Sequence, residues 1–177
     1  MSIFNRRATY NEQTAMLVAR DVPVTLLHHA LSRAILTHSE GRMTSEVVQE
    51  QVAKYLARAR QALSAGELAL SHGDSITAVN RAYYAIFYSA NALLSTRGLE
   101  RSKHSGVIAV FRQQFIKTGF IEAEYSDIYG AVMDDRTEGD YNLEFEPDAV
   151  QAERDMARGR RFVARAEQAL QEMGILR

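Results

Sequence analysis

Residues 80–94 read NRAYYAIFYSANALL, and this stretch holds three of the eight tyrosines in a chain of 177 residues. Apolar residues in and beside it recur every three or four positions, which is the spacing of one face of an α-helix. These apolar residues are Ile76, Val79, Tyr83, Ile86, Ala90 and Leu93. The sequence therefore predicts an amphipathic helix that Asp74 caps at its N-terminus and Gly98 ends in a left-handed conformation.

The same helix carries a second face that is polar and aromatic, formed by Asn80, Tyr84, Tyr88 and Asn91. A helix with two such faces is suited to the centre of a fold, because one face can enter the core while the other lines a groove or a partner surface. We expect this helix to be the central element of the protein.

The composition of the chain favours helices and excludes several kinds of chemistry. Alanine is abundant and only two prolines interrupt the sequence, which favours helix over sheet. The absence of cysteine excludes disulfides and thiolate chemistry, and a net charge of −1 gives no global basic field for nucleic acid. No apolar run approaches the roughly 20 residues that span a bilayer. With no signal-peptide pattern at the N-terminus, we expect a cytoplasmic protein without a membrane partner.

The rest of the chain is predicted to form further helices joined by short turns. They run from an N-cap at Thr44 or Ser45 to about residue 71, from an N-cap at Ser102 to about residue 118, from 120 to 135, and from Pro147 to about residue 173. Residues 136–147 break the periodicity and are predicted to be the longest irregular stretch. No strand-like alternation occurs, so the fold class is all-α: a four- to five-helix up-and-down antiparallel bundle.

The first 42 residues differ in composition from the rest, and we assign them to an N-terminal extension that adds a helical segment to the bundle of residues 43–177. Its one strong helical signal runs from Pro23 to Thr37. Two interpretations stay open: a short docking helix, or a segment loosely attached to the domain.

Candidate chemistry lies in residues 134–141, which read DDRTEGDY. No phosphate-binding glycine loop, zinc-protease motif or nucleophile elbow occurs in the chain. The four carboxylates of this segment suggest a metal site, although a solvated helix end with Arg136 as counter-ion is the commoner arrangement. Alternatively, Arg136 binds an anion through its planar guanidinium, with Tyr141 as a neighbouring donor. His104, at the start of a predicted helix, is either a neutral base or a surface histidine.

Five short motifs, in this order and spacing, resemble the HEPN family, and most closely its small stand-alone bacterial and archaeal members. The motifs are NRAYYA (80–85) with Phe87, KHSG (103–106), FIKTG (115–119), Arg136-x-x-x-Asp140-Tyr141, and residues 157–162. The resemblance covers about residues 50–172. It implies a helical bundle that dimerises, so that two copies of an Arg-x(4–6)-His motif meet across a cleft.

Many members of that family are metal-independent ribonucleases, often toxins neutralised by a neighbouring minimal nucleotidyltransferase, whereas others bind RNA or nucleotides without cutting. Carried onto this chain, the motif arginine is Arg136, and Tyr141 stands where the family has histidine. Metal-free RNA cleavage needs a base, an acid and a cation. Because tyrosine, with an ordinary pKa of about 10, is a poor base, this departure favours binding over cleavage.

The resemblance implies a homodimer that acts on or binds RNA or nucleotides as the toxin-like half of a pair with a nucleotidyltransferase antitoxin, and it calls for no metal and no cofactor. It also implies that Tyr141 is the acceptor when the partner adenylylates its target. The alternatives are a non-catalytic helical module that binds a nucleotide or a partner protein, and a plain interaction protein in which Arg136 forms only a salt bridge. The implied catalytic residues are Arg136, Asp140, Tyr141 and His104, and the substrate-binding residues are Asn80, Arg81, Tyr84 and Lys103, with Tyr88 on the same wall.

Overall fold

The computed structural model describes the backbone of residues 24–99, 104–142 and 144–176, with side chains from residue 45 onward except that of His104. This part of the chain contains five α-helices and one short π-helical turn and has no strand, which confirms the predicted all-α bundle. The helices are α1 (Val24–Ser71), α2 (Ser75–Ser95), α3 (His104–Phe111), α4 (Glu124–Tyr141) and α5 (Ala149–Glu172), and the π-helical turn (Arg112–Ile116) follows α3.

The chain divides into two compact units, residues 1–45 and 46–177. In the first unit the described residues, 24–45, are helical. The predicted boundary after residue 42 and the docking role of the N-terminal segment stay predictions. Helix α1 continues through residues 44 and 45, so the expectation that Thr44 or Ser45 begins a helix is wrong. Serine and threonine are tolerated inside helices, so a capping residue type alone does not start one.

Helix α2 is the central element of the second unit, as the sequence predicts. The side chain of Asp74 accepts a hydrogen bond from the backbone N–H of Thr77 at 2.9 Å, and Gly98 has a φ of +65°. Both predicted ends are therefore confirmed. Because 13 of its 21 residues are buried, the helix contributes to the core on almost every side, and it packs on α3, α4 and α5.

Small residues let the neighbouring helices approach α2 closely. A Cβ atom added to Gly159 of α5 would lie 3.4 Å from the carbonyl oxygen of Ala82 and 3.3 Å from the Leu63 side chain. Ion pairs also join α1 to α5, from Arg60 to Glu167 and from Glu67 to Arg160. As the residue number increases along α1, the residue number of the ion-pair partner on α5 decreases, so the two helices are antiparallel.

The end of α4 differs most from the sequence prediction. Residues 136–141 were expected to be irregular, but they form the last turns of α4, which runs from Glu124 to Tyr141. Gly139 and Asp140 are weak helix formers. Here the helix is held by the ion pair between Arg136 and Asp140, four residues apart, and by the packing of Gly139 near Ile76 and Phe145.

The other helix ends also show where local signals fail. Pro147 was expected to open the last helix, but it is buried just before the N-cap, and Asp148 caps α5 by accepting from the N–H of Gln151 at 2.7 Å. The predicted third helix becomes α3 and the π-helical turn, with a left-handed Gly119 after them. Its proposed cap, Ser102, lies outside the described residues. No helix in the described ranges has the length and apolarity to cross a bilayer.

Candidate functional site

The end of α4 lies beside the beginning of α2, and this arrangement brings together residues that are distant in sequence. Asn80 Nδ2 donates to Asp140 Oδ1 over 3.5 Å, a long and therefore weak hydrogen bond. Asp140 also forms the ion pair with Nη2 of Arg136. The structure thus joins one predicted substrate-binding residue, Asn80, to two predicted catalytic ones.

Arg136 is held on two sides. Its guanidinium carbon lies 5.5 Å from the centre of the Tyr83 ring, which is within the range of a cation–π contact, and its side chain is only 19% exposed. A cation that is largely buried in this way requires a nearby negative charge, which the Asp140 carboxylate supplies. The Nε of Arg136 is buried and has no hydrogen-bond partner among the described residues, so the cation retains an unused donor.

Tyr83 was predicted only as a core residue, but its ring also packs against the guanidinium of Arg136. Burial raises the pKa of the Tyr83 phenol to about 12, and the positive charge of Arg136 partly opposes that increase. The ring is therefore a neutral aromatic surface at physiological pH. The apolar periodicity of α2 gave Tyr83 its buried position, but the cation above the ring comes from a distant helix and has no signal in the sequence.

Arg81 and Tyr84 extend the cluster along α2. Arg81 Nη2 donates to Asn80 Oδ1 at 3.0 Å, and its guanidinium carbon lies 5.2 Å from the centre of the Tyr84 ring. Two hydrogen bonds and one ion pair therefore connect Arg81 through Asn80 and Asp140 to Arg136.

Of the other predicted site residues, Tyr88 stacks on Tyr84, whereas Tyr141 makes no contact with this cluster that the structure describes. Tyr141 ends α4 with 79% of its surface exposed. His104 is the first residue of α3, but its side chain, like the whole of Lys103, lies outside the described part of the structure.

The carboxylates of residues 134–141 do not converge on a metal position. Asp135 Oδ2 lies 3.9 Å from Arg158, Glu138 accepts from Asn142 at 3.3 Å, and Asp140 pairs with Arg136. Within the described residues, no three histidine, aspartate or glutamate side chains are grouped to hold a metal ion.

A second charged cluster, which the sequence analysis missed, lies between α4 and α5. Asp155 is completely buried. Its Oδ1 accepts from Arg158 Nη1 at 2.8 Å, and its Oδ2 has no partner in the described structure. Burial raises the pKa of Asp155 to about 6; Arg158 opposes this and Asp135 adds to it. The available signal was an aspartate at an apolar position of α5, three residues after the buried Ala152.

Comparison with known proteins gives a family match and several relatives. The model of the HEPN domain family matches residues 52–172. A protein of Thermotoga maritima named "UPF0332 protein" is 42% identical over 105 residues, covering 58% of this chain and 80% of that protein. A protein of Methanocaldococcus jannaschii named "Putative toxin MJ0605" is 36% identical over 126 residues, covering 71% and 93% respectively. A second one from that organism, "Putative toxin MJ0142", is 30% identical over 129 residues, covering 73% and 88%.

The buried carboxyl of Asp155 predicts a specific pH dependence of stability. The pKa of Asp155 rises from 3.8 to about 6 on folding. Its favourable contribution to the free energy of unfolding is therefore fully present below pH 3.8 and is lost as the pH rises through 6. We expect Asp155→Asn, whose amide oxygen still accepts from Arg158, to be more stable than the wild type at pH 7.5 by on the order of 1–3 kcal/mol. At pH 4 the two proteins should differ much less.

Urea unfolding followed by circular dichroism at pH 4, 6 and 7.5 measures this difference. Glu153→Gln is the control, because Glu153 is an exposed carboxylate on the same helix, paired with Arg160. A constant difference between Asp155→Asn and the wild type at all three pH values would contradict the prediction.

Proposed function

This chain belongs to the HEPN domain family, and on that premise we propose that it is a cytoplasmic homodimer that acts on RNA in a cleft between its two copies, as the toxin-like half of a pair with a minimal nucleotidyltransferase. The observation that carries the proposal is the position of Arg136. The cation is fixed by Asp140 and Tyr83, at the end of α4 where Tyr141 is exposed. The names of the two Methanocaldococcus jannaschii relatives support the toxin-like assignment.

The proposed chemistry uses three side chains and no metal. The 2′-hydroxyl of a ribose attacks the adjacent phosphorus, forming a cyclic phosphate as the bond to the 5′-oxygen breaks. Asp140 accepts the proton of the 2′-hydroxyl, and the Tyr141 hydroxyl gives a proton to the leaving 5′-oxygen. Arg136 stabilises the negative charge that develops on the phosphorane oxygens. His104 and Lys103 are proposed to border the same cleft.

The surface near Tyr141 supports the proposed dimer. Tyr141 is 79% exposed and Ile76 is 43% exposed; Ile76 belongs to the first turn of α2, near Gly139 in the last turn of α4. Large apolar side chains on one surface are often covered by a partner. A second copy placed here would bring two Arg136 residues toward a shared cleft.

A second candidate function, binding of RNA or a nucleotide without cleavage, is favoured by a specific observation. Arg136 is already neutralised by Asp140 and is largely buried, so a phosphate must compete with that carboxylate. Tyrosine also replaces the histidine that serves as the base in catalytic family members. In this case the same cleft is a recognition site.

Cleavage of RNA in the presence of EDTA distinguishes the two candidates. We expect the wild type to cut a long single-stranded RNA, and Arg136→Ala to be slower by about 100- to 1,000-fold, because the cation that stabilises the transition state is lost. Arg160→Ala is the matched control, because Arg160 also pairs with a carboxylate, that of Glu153, but lies on α5 and not on α4. RNA binding without cleavage by the wild type would favour the second candidate, and equal cleavage by Arg136→Ala would contradict the first.

Light scattering tests the dimer. At micromolar concentration we expect a mass twice that of the 19.9 kDa chain, and Ile76→Asp should shift the mass toward that of the monomer because the new charge must be desolvated in the interface. Leu68→Asp is the control: Leu68 is 62% exposed on α1. A monomeric wild type, or equal effects of the two substitutions, would argue against this interface.

The proposed partner would act on Tyr141. In the proposed dimer Tyr141 faces the open cleft, and in the single chain it is 79% exposed. Co-expression with a minimal nucleotidyltransferase encoded beside this chain should therefore add an adenylyl group to the peptide that contains Tyr141. Mass spectrometry measures the adduct, and Tyr141→Phe should abolish it. An unmodified Tyr141 peptide from active co-expressed transferase would eliminate this role.

A further inference from the structure

A cavity between α1 and α2 brings together two arginines that the proposed chemistry does not use. The cavity has a volume of about 250 Å³. Arg58 comes from α1 and Arg81 from α2, so the fold places two positive charges at one opening. The lining residues are Arg58, Gln61, Ala62, Ala65, Arg81 and Tyr88.

Aromatic rings connect the two arginines. The guanidinium of Arg81 lies 5.2 Å from the centre of the Tyr84 ring, and that of Arg58 lies 5.8 Å from the centre of the Tyr88 ring. The rings of Tyr84 and Tyr88 stack on each other at 5.9 Å with 29° between their planes. Arg81, Tyr84, Tyr88 and Arg58 therefore contact one another in that order, and we call these four residues the Arg–Tyr groove.

The two arginines of the groove differ from several other arginines of the protein, because no carboxylate of the described residues neutralises their charge. Among the described residues, no carboxylate lies within ion-pair distance of Arg58 or Arg81, whereas several arginines of α1 and α5 are paired with a glutamate or aspartate. Those paired arginines are Arg60, Arg158, Arg160, Arg161 and Arg165.

The packing of these arginines keeps their donors accessible. Arg58 is exposed and Arg81 is half-buried, and the planar N–H edge of a guanidinium can bind two oxygens of a phosphate. Arg81 uses one of its donors for Asn80 and retains the others. The groove thus combines phosphate-binding edges with flat aromatic surfaces.

We propose that the Arg–Tyr groove binds a segment of single-stranded RNA and guides it toward Arg136. Proteins that bind single strands combine positive charge along the backbone with aromatic rings on which bases stack. The cavity is smaller than the roughly 300–1,000 Å³ of pockets that enclose a small ligand, so it fits part of a chain that continues beyond it. The hydrogen bonds from Arg81 through Asn80 to Asp140 connect the groove with the candidate site.

This inference rests on the proposed function for the identity of the ligand, and its test separates the two. The probe is a 5′-fluorescein-labelled oligouridine of about 12 nucleotides, bound to the full chain and followed by fluorescence anisotropy. Arg58→Gln and Arg81→Gln should each weaken binding about ten-fold at low salt, and each should lower the slope of log affinity against log salt by about 0.7, the value for one phosphate contact on a single strand. Tyr88→Leu should weaken binding about ten-fold with an unchanged slope, because it removes a stacking surface and no charge.

The chain offers a matched control for charge and stacking. Arg97 lies 5.0 Å over the ring of Phe115, and like the groove arginines it has no carboxylate within ion-pair distance in the described structure, but it follows the far end of α2. Arg97→Gln should therefore bind the probe as the wild type does. Circular dichroism verifies that each variant is folded.

Crosslinking of the unaltered protein provides a second measurement that does not depend on the folding of variants. With 4-thiouridine in the probe, crosslinked peptides should contain Tyr84 or Tyr88. Crosslinks confined to other peptides, wild-type affinity in Arg58→Gln and Arg81→Gln, or no binding of the probe by the wild type would each overturn the inference. If the groove variants changed the mass measured by light scattering but kept the RNA affinity of the wild type, the inference would also be overturned, because the groove would then be a contact between two copies of the chain.

Arg136→Ala distinguishes failure of the groove from failure of the proposed function. Normal probe binding with lost cleavage in Arg136→Ala, together with weak binding in the groove variants, supports both. Arg136-dependent cleavage that the groove substitutions leave unchanged overturns the groove alone. Groove-dependent binding without any cleavage by the wild type supports the groove and removes the ribonuclease.

Discussion

The burial of helix α2 is the constraint on which the rest of this structure depends. With 13 of its 21 residues buried, the helix must be surrounded by α1, α3, α4 and α5, and its exposed remainder becomes the wall of whatever site the protein has. Alanines and the facing Gly159 of α5 make the close approach feasible. The polar and aromatic residues of α2 therefore occupy fixed positions, because their helix cannot move without opening the core.

The charges of the protein are arranged around that core in two different ways at the end of α4. Arg136 is neutralised by Asp140 and rests on the Tyr83 ring. Asp135, the residue before Arg136, lies within ion-pair distance of Arg158 on α5, and Arg158 in turn pairs with Asp155. Consecutive residues of α4 thus connect the candidate site to a buried carboxylate, so the protonation of Asp155 and the placement of Arg136 depend on the same helix end.

Several parts of the fold could be predicted because their signals are local. The ends of α2 were correct since Asp74 and Gly98 act within one turn of the helix. The end of α4 was wrong because glycine and aspartate there suggest a loop, whereas an ion pair and packing against α2 extend the helix. The start of α5 was predicted two residues too early, at Pro147 instead of Ala149, since Asp148 is the N-cap. In each error a tertiary contact or a neighbouring residue outweighed the local preference.

The sequence by itself determined the all-α class, the central helix and the motifs that identify the family, because helical periodicity and motif spacing are properties of the linear chain. Only the tertiary structure decided which residues meet: Tyr83 under Arg136, Asn80 beside Asp140, and Arg58 across from Arg81. It also decided that one oxygen of Asp155 has no partner among the described residues. These contacts join different helices, or depend on how deeply one helix is buried by the others. They follow from the packing of helix faces, which the spacing of residues along one chain does not specify.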